Sequence, residues 1–304
     1  MSKVLSPKQL AGAIGLSESS LKRWSDDGLL AAVRTAGGHR RIELSEAVRF
    51  IRAIGASVVR PDMLGLNDLA ALGPGFAQST DADKQIHAAM EGGHAQQLRA
   101  MIQSLYLAGW SPAAIFDGPV RSALVAIGTM WLHQEWGIVV EHRATDLCIQ
   151  AVNQLRLLCP ARAANAPVAV GGAAEFDPYM IPSLMVATVA GEVGFMDVNL
   201  GTLTAPSVLC NAAKHYQARL AWVSISVSPD IQRTVADLRG AHDQLAAFGC
   251  SLVIGGRGLA AVTPEALGPL QVAWSMADFA TFARSCLPAP SDTPASATDS
   301  AASN

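Results

Sequence analysis

Three residues of a helical stretch have the types and the spacing expected of a ligand pocket. In FDGPVRSALVAIGTMWLHQEWGIVVEHRATDLC, Trp131 precedes the adjacent pair Glu141 and His142 by ten residues. If the two helices of this stretch pack antiparallel, the aromatic ring, the carboxylate and the imidazole converge on one pocket. A buried Trp with a Glu-His pair that caps a helix is the structural alternative, and the spacing is compatible with both.

A second group of residues follows the β-strands predicted between 166 and 287. Apolar β-rich runs alternate there with helical runs, which favours βαβ units and a parallel sheet. Ligands of such sheets bind outside the carboxyl ends of the strands. Glycines at this edge let a flat ligand or a phosphate approach the backbone. The residues predicted to lie there are Asp177, Gly201, Ser224, Gly255 and Gly256.

Basic side chains are concentrated in the first 60 residues. This stretch has ten Lys or Arg and five Asp or Glu, a net charge of +5, whereas the rest of the chain has a net charge of −8. A basic head on an acidic body indicates a nucleic-acid contact at the N-terminus. Ser6 with Pro7 predicts the start of one short helix, and Ser17 caps a second. The side chains expected to form their shared core are Leu10, Ile14, Leu21 and Trp24.

These patterns divide the chain into five segments. We predict short helices and a hairpin over 1–57, called the head below, and a linker over 58–80. A helical domain over 81–160 and the parallel-sheet domain over 166–287 follow. The Pro/Ser/Ala/Thr-rich stretch 288–304 is predicted to be a disordered tail.

Composition limits the class of protein. Half of the residues are apolar and 15% are charged, yet no apolar run reaches the roughly 18 residues that a membrane span needs. The N-terminus lacks the pattern of a secretory signal. The five cysteines are scattered without CxxC spacing, so neither a zinc knuckle nor a disulfide framework is indicated. We therefore expect a cytoplasmic protein with no membrane partner.

The head resembles the winged helix-turn-helix of the MerR superfamily. The residues that carry this resemblance are SPKQLAGAIGLSESSLKRWSDDGLL and the wing RTAGGHRRI. The resemblance implies binding to double-stranded DNA, with the second helix in the major groove and the wing against phosphates. The residues expected to contact DNA are Ser19, Lys22, Arg23, Arg34, Thr35, His39, Arg40 and Arg41.

Residues 81–287 resemble a four-helix cap followed by the cobalamin-binding Rossmann domain, an α/β fold with a flavodoxin-like parallel sheet. The resemblance rests on Trp131, Glu141 and His142 of the cap, on SLMVATVAGEVGFMDVNLG, and on the Ser and the Gly-Gly pair that end the third and fourth strands. The whole chain is similar to the light-responsive, adenosylcobalamin-dependent MerR-type repressors of the CarH and LitR kind. This implies a cofactor between the cap and the sheet, with promoter DNA released after photolysis.

One loop departs from that family. The family's first Rossmann loop reads D-x-H-x-x-G, and its His is the lower cobalt ligand; this chain has Asp177, Tyr179 and Pro182 at these positions. A phenol with a pKa near 10 is a poor metal donor at neutral pH. Proline also replaces a glycine that gives the nucleotide tail of the cofactor room to enter. The ligand is therefore cobalamin without a protein lower ligand, another tetrapyrrole such as a bilin or haem, or none. His142 could still bind a metal from the cap side.

Together these features predict a DNA-binding transcription regulator, a repressor by the resemblance, whose C-terminal half senses cobalamin or another tetrapyrrole. The alternative is a regulator whose degenerate sensor binds no cofactor and responds to a partner protein. A cobalamin-dependent enzyme is the weakest hypothesis, because no catalytic domain and no nucleophile–base pair are evident. One short winged helix-turn-helix reads a short site, so we also expect a homodimer or homotetramer.

Overall fold

Helix caps in the sequence fix the first two helices of the head. In the computed structural model, which describes residues 3–72, 75–132 and 135–288, α1 (Pro7–Ile14) begins at a capping box. Ser6 Oγ accepts from the Gln9 backbone N–H, and Gln9 Oε1 accepts from the Ser6 N–H. Helix α2 (Glu18–Asp26) begins at Ser17, whose Oγ accepts from the Ser20 N–H. Both helices lie where the sequence predicts them.

A three-stranded antiparallel sheet and a third helix complete the head. Strand β3 (Arg40–Glu43) pairs with β1 (Val4–Leu5) on one side and with β2 (Val33–Arg34) on the other. Helix α3 (Leu44–Ile54) follows β3 directly. The side chains packed in the core of the head include Leu10, Ile14, Leu21, Trp24 and Phe50.

The segment predicted as a linker is folded onto its neighbours. It contains α4 (Pro61–Leu64) and two 3₁₀ turns, Asn67–Ala71 and Phe76–Gln78. Helix α4 packs against α1, and Leu64 and Leu66 are buried. The prolines and glycines from which a linker is predicted mark turns here, because the apolar residues between them give the segment a buried side.

Helices fill the next part of the chain. They are α5 (Ala82–Gly92), α6 (Ala95–Leu107), α7 (Pro112–Ile115), α8 (Arg121–Gly128) and α9 (Gly137–Arg156). A π-helical turn (Phe116–Val120) lies between α7 and α8, and a 3₁₀ turn (Met130–Leu132) follows α8. The longer helices α5, α6, α8 and α9 pack against one another.

The parallel sheet predicted for the C-terminal half is confirmed. Its strands are β4 (Val168–Ala173), β5 (Met196–Asn199), β6 (Leu220–Ser224), β7 (Ser251–Gly255) and β8 (Gln271–Ala273). The strand order β5-β4-β6-β7-β8 is that of a doubly wound, flavodoxin-like sheet. The helices that connect and flank the strands are α10 (Ile181–Val193), α11 (Pro206–His215), α12 (Ile231–Ala246), α13 (Pro264–Leu267) and α14 (Met276–Ser285).

Strand β4 is longer than the sequence predicts. We expect it to end at residue 170, before a glycine pair that reads as a loop, but it continues to Ala173. Gly171 and Gly172 stay in the strand because neighbouring groups lie against their backbone, where a Cβ would overlap the Trp222 ring or the Thr204 side chain. These glycines therefore allow close packing.

Two polar contacts fix the helical part to the sheet domain. Asp117 accepts hydrogen bonds from the backbone N–H groups of Met276 and Ala277, the first residues of α14. Asp197 of β5 pairs with Arg156 at the end of α9 and with Arg162.

No helix of the described residues is long and apolar enough to cross a membrane. The predicted tail lies outside the described residues from 289 onward.

Candidate functional site

The parallel sheet brings most of the predicted ligand-binding residues to one edge. Asp177 and Tyr179 follow β4, Gly201 follows β5, Ser224 ends β6 and Gly255 ends β7. Because all five strands are parallel, these positions share the carboxyl edge of the sheet. The side chains at this edge nevertheless have different roles, and several serve the fold.

Asp177 is a structural clamp. Its side chain is fully buried. Oδ1 accepts from the Tyr179 N–H at 3.0 Å and Oδ2 accepts from the Ser226 N–H at 2.5 Å. The carboxylate thereby joins the loop after β4 to the loop after β6. Both carboxylate oxygens of Asp177 accept from backbone donors, so the side chain serves the fold, and its contact with a cofactor stays a prediction.

The glycine pair after β7 also serves packing. A Cβ on Gly255 would lie 2.5 Å from the Ala273 carbonyl oxygen, and one on Gly256 would overlap the Ile225 backbone. The sequence predicts that these glycines leave room for a ligand, but backbone atoms of Ala273 and Ile225 lie in that space. Gly201 differs, since its φ is +86° and nothing lies within 4 Å of the position of a Cβ. The space beside the Gly201 Cα is open to a ligand, while its N–H donates to Asn199 Oδ1 and its carbonyl oxygen accepts from the Ala173 N–H.

Ser224 holds a buried polar atom without a protein partner. Its side chain is 3% exposed, and its Oγ has no hydrogen-bond partner among the described residues. A buried hydroxyl without a partner costs about 1–3 kcal/mol. Among the predicted site residues, Ser224 is therefore the one whose hydroxyl would gain a missing hydrogen-bond partner from a bound ligand.

Large apolar side chains are exposed along this edge. Phe176, Tyr179 and Met180 follow β4, Leu203 follows β5, and Trp274 follows β8; all five are at least 40% exposed. Phe176 and Leu203 have φ values of +69° and +55°, which bulky residues adopt at a cost of about 1–3 kcal/mol. Exposed apolar surface and strained loops are typical of a binding site. Of these residues, sequence reasoning singled out Tyr179 alone; the apolar loop residues in EFDPYM are the available signal for Phe176 and Met180, and no comparable signal points to Leu203 or Trp274.

The helical residues Glu141 and His142 lie together near the start of α9. Glu141 Oε2 is 3.5 Å from His142 Nε2, and Thr145 donates to Glu141 Oε1 at 3.3 Å. The His142 side chain is 76% exposed, so its imidazole is accessible to a ligand. The backbone of Trp131 forms part of the 3₁₀ turn after α8, and its side chain lies outside the described part of the chain.

Metal binding by protein groups alone is not supported among the described residues. No three His, Cys, Asp or Glu side chains are grouped there as possible metal ligands. Burial raises the pKa of the Cys148 and Cys159 thiols to about 12, so both remain protonated at neutral pH. A thiol in that state is a poor metal ligand. His142 would act only on a metal that a cofactor brings.

The head contains a separate basic cleft. It has a volume of about 290 Å³ and lies between the start of α1, the helix α2 and the hairpin β2–β3. The basic residues that line it are Lys8, Lys22, His39, Arg40 and Arg41. Arg41 is exposed, and no hydrogen bond or ion pair of its side chain is observed within the described residues. An anionic ligand such as a phosphate fits this charge.

Other residues predicted to contact DNA are engaged within the head. Arg40 is ion-paired with Asp26, and Arg34 lies 3.7 Å from the same carboxylate. Thr35 holds the hairpin turn, since its Oγ1 accepts from the His39 N–H at 3.2 Å. Ser19, Lys22 and Arg23 lie on α2, where Ser19 shares a hydrogen bond with Ser17 and Lys22 pairs with Glu18. The side chains of Arg23 and His39, like that of Arg41, are exposed with no hydrogen bond or ion pair observed in the described chain.

A partly buried contact joins the head to both other domains. The Arg52 guanidinium, in the last turn of α3, donates to the carbonyl oxygens of Tyr106 and Trp110 and lies 3.6 Å from Glu192 Oε1. Its Cζ is 3.8 Å from the centroid of the Tyr106 ring. Burial raises the pKa of Tyr106 far above its usual range. The phenol therefore stays protonated and donates to Glu192 Oε2 at 2.8 Å. The contact was not foreseen from the sequence.

Comparison with known families decides the class of the helical domain. Residues 82–156 match the family model of the B12 binding domain. The match covers α5 to α9, so the B12-binding domain includes Glu141 and His142. No curated protein matches the chain.

Solved structures were compared with the helical domain and the sheet together, and one of them supports a shared fold. The monomethylamine corrinoid protein of Methanosarcina barkeri is 18% identical, with a TM-score of 0.50, over 66% of this chain and 96% of that one. A cobalamin-binding protein from Desulfitobacterium hafniense DCB-2 is 16% identical, with a TM-score of 0.36, over 69% of this chain and 100% of that one. The first of these likenesses supports a shared fold and carries no more than that.

The residues at the carboxyl edge of the sheet fit the ring of a corrinoid but do not supply its lower ligand. The exposed apolar side chains along the carboxyl edge, the open space beside Gly201 and the unpartnered Ser224 hydroxyl suit the face of a large flat ring. The lower ligand expected from the family is absent, because Tyr179 replaces it and no His lies between His142 and His215. The residues at this edge therefore suit the ring, and this loop has no imidazole to serve as a lower ligand.

Proposed function

We propose that this protein is a DNA-binding transcription regulator, with no enzymatic activity of its own, that senses a corrinoid. The observation that carries the proposal is the Arg52 contact, which joins a basic head to a B12-binding domain and to helix α10 of the sheet domain. A ligand that shifts either domain would act directly on this contact. The head can then change its affinity for DNA when the corrinoid binds.

DNA affinity measured with and without cofactor tests this function. A fluorescent duplex enriched from a random pool by the protein serves as the probe, and binding is followed by anisotropy. We expect adenosylcobalamin in the dark to change the dissociation constant by roughly 5-fold or more, within the usual range of allosteric coupling, and illumination to reverse the change. Equal affinity under all three conditions would contradict corrinoid control.

Arg52 is expected to transmit the signal. Arg52→Ala should reduce the cofactor-dependent change in DNA affinity to less than about twofold, because the coupling free energy has to pass through a contact that both domains share. Corrinoid affinity should stay close to that of the wild type. Arg49→Ala is the matched control, since the Arg49 guanidinium pairs with Glu46 and donates to the Leu29 carbonyl oxygen inside the head. Equal coupling in both variants would exclude this route.

Self-association follows from the same proposal. A head with one reading helix covers a short site, and two heads on paired half-sites multiply affinity. We expect a homodimer or homotetramer on DNA, detected by light scattering of the protein–duplex complex. A single copy bound per duplex would contradict this expectation.

A second candidate is a regulator that binds no tetrapyrrole and responds to a partner protein. The replacement of the lower ligand by Tyr179 favours this candidate, as do the exposed apolar side chains along the carboxyl edge of the sheet. Absorption titrations with cobalamin, haem and biliverdin, each supplied separately, distinguish the two. DNA binding by a protein that takes up none of the three would favour the partner-controlled regulator, and uptake of haem or a bilin alone would change the identity of the cofactor.

A further inference from the structure

We propose that the site accepts the ring of a corrinoid and excludes its nucleotide tail from the protein interior. This inference rests on the proposed corrinoid binding and specifies the ligand form. In the family that the sequence resembles, the tail enters beside the glycine that Pro182 replaces here, in the first turn of α10; behind that turn lies the space between α10 and the sheet. In this chain that space holds the side chain of Trp222.

Trp222 is one of the most deeply buried side chains of the protein. It lies in the central strand β6, is 1% exposed, and faces α10, since its Nε1 donates to Ser183 Oγ at 3.0 Å. Its ring packs against Gly171 of the neighbouring strand so closely that a Cβ there would overlap the indole. Gly171 therefore makes room for the indole, which lies between the sheet and α10 at this level.

Hydrogen bonds hold this side chain in place. Ser183 Oγ accepts from the indole and donates in turn to Asn199 Oδ1 at 2.9 Å. Asn199 Oδ1 also accepts from the Gly201 N–H at 3.1 Å. The chain of bonds runs from β6 through α10 to the end of β5. Opening the space for a tail would break these bonds and leave buried polar groups without partners, which is costly.

The entrance to the space is restricted as well. Pro182 occupies the first turn of α10, where its ring fixes φ and removes a backbone N–H. Ile181 and Ser183 on either side of it are buried. A tail that entered at this turn would meet the proline first and then the indole.

Ser224 lies between the carboxyl edge of the sheet and Trp222, and a ligand that binds at this edge can reach Ser224 but not the space behind it. It lies two residues after Trp222 on the same strand, so both side chains are on the same face of the sheet. Its unpartnered hydroxyl is at the carboxyl end of β6, nearer the edge than the indole. A polar group on the rim of a flat ring can reach this hydroxyl without displacing Trp222.

Two corrinoids that differ in the tail test the proposal. Dicyanocobinamide has the ring without the nucleotide, and cyanocobalamin has both. We expect equilibrium dialysis of the full chain to give a dissociation constant for cobinamide equal to that for cobalamin or lower. Cobalamin binding more than tenfold tighter than cobinamide would overturn the proposal, because the tail would then contribute contacts of its own.

Substitutions at Trp222 separate the exclusion of the tail from the proposed binding of a corrinoid. Trp222→Gly combined with Pro182→Gly should shift the preference toward cobalamin by tenfold or more, because both obstacles are then removed, whereas Trp222→Phe should keep the wild-type preference, since a ring still fills the space. If the double variant does not fold, as judged by circular dichroism, the wild type and Trp222→Phe still decide. A preference for cobalamin in both would refute tail exclusion, and failure of the folded wild type to bind either corrinoid would overturn the proposed function itself.

Discussion

Raising the salt concentration from 50 to 200 mM is expected to weaken DNA binding by roughly a thousandfold. The basic cleft of the head and the exposed Arg23 and Arg41 are the groups that would neutralise phosphates. With about three such contacts in each head of a dimer, a plot of log affinity against log salt should have a slope of about −5. Anisotropy titrations at four or more salt concentrations measure this slope.

Arg41 should account for a defined part of that salt dependence. Arg41→Ala is expected to weaken all duplexes alike and to reduce the slope by about one per head, because one phosphate contact is lost. Arg40→Ala should change the slope less, since Arg40 already pairs with Asp26. Lys84→Gln is the control, because it removes an exposed positive charge on α5, outside the head. Slopes that are the same in all three variants would show that the head does not contact the phosphates.

The substitution Asp197→Asn is expected to lower the free energy of unfolding by about 3–5 kcal/mol. The Asp197 side chain is 3% exposed and is shared by two arginines, Arg156 and Arg162. The amide keeps the shape of the carboxylate but removes its charge, which leaves two guanidinium groups without a counter-charge in a partly buried place. The loss should appear in urea denaturation as a lower midpoint at an unchanged slope.

Asp237→Asn is the matched control for this prediction. Asp237 also faces an arginine, Arg233, but the two groups are 3.7 Å apart and largely exposed. Exposed pairs contribute about 0–1 kcal/mol, so the control should unfold close to the wild type. Equal losses in both variants would mean that burial of Asp197 does not strengthen its interactions.

The sequence alone determined the local elements and the class of the sheet. Ser6, Gln9 and Ser17 specify helix starts through bonds to residues three positions away, and such bonds can be identified from spacing. Alternating strand and helix patterns likewise indicate a parallel sheet before any contact is known. The residue types at Tyr179 and Pro182 also predicted that the lower ligand of the family is absent.

Only the tertiary structure decided which of the predicted site residues are free to act. Asp177, Gly255 and Arg40 were chosen for their type and position, yet partners distant in sequence use them for the fold. Arg52 and Trp222 carry no local signal, because an arginine near a helix end and an aromatic residue in a buried strand are ordinary. Their roles arise from contacts with residues 54 and 39 positions away. Periodicity describes which face of an element is buried, and it contains no information about which distant side chain meets that face.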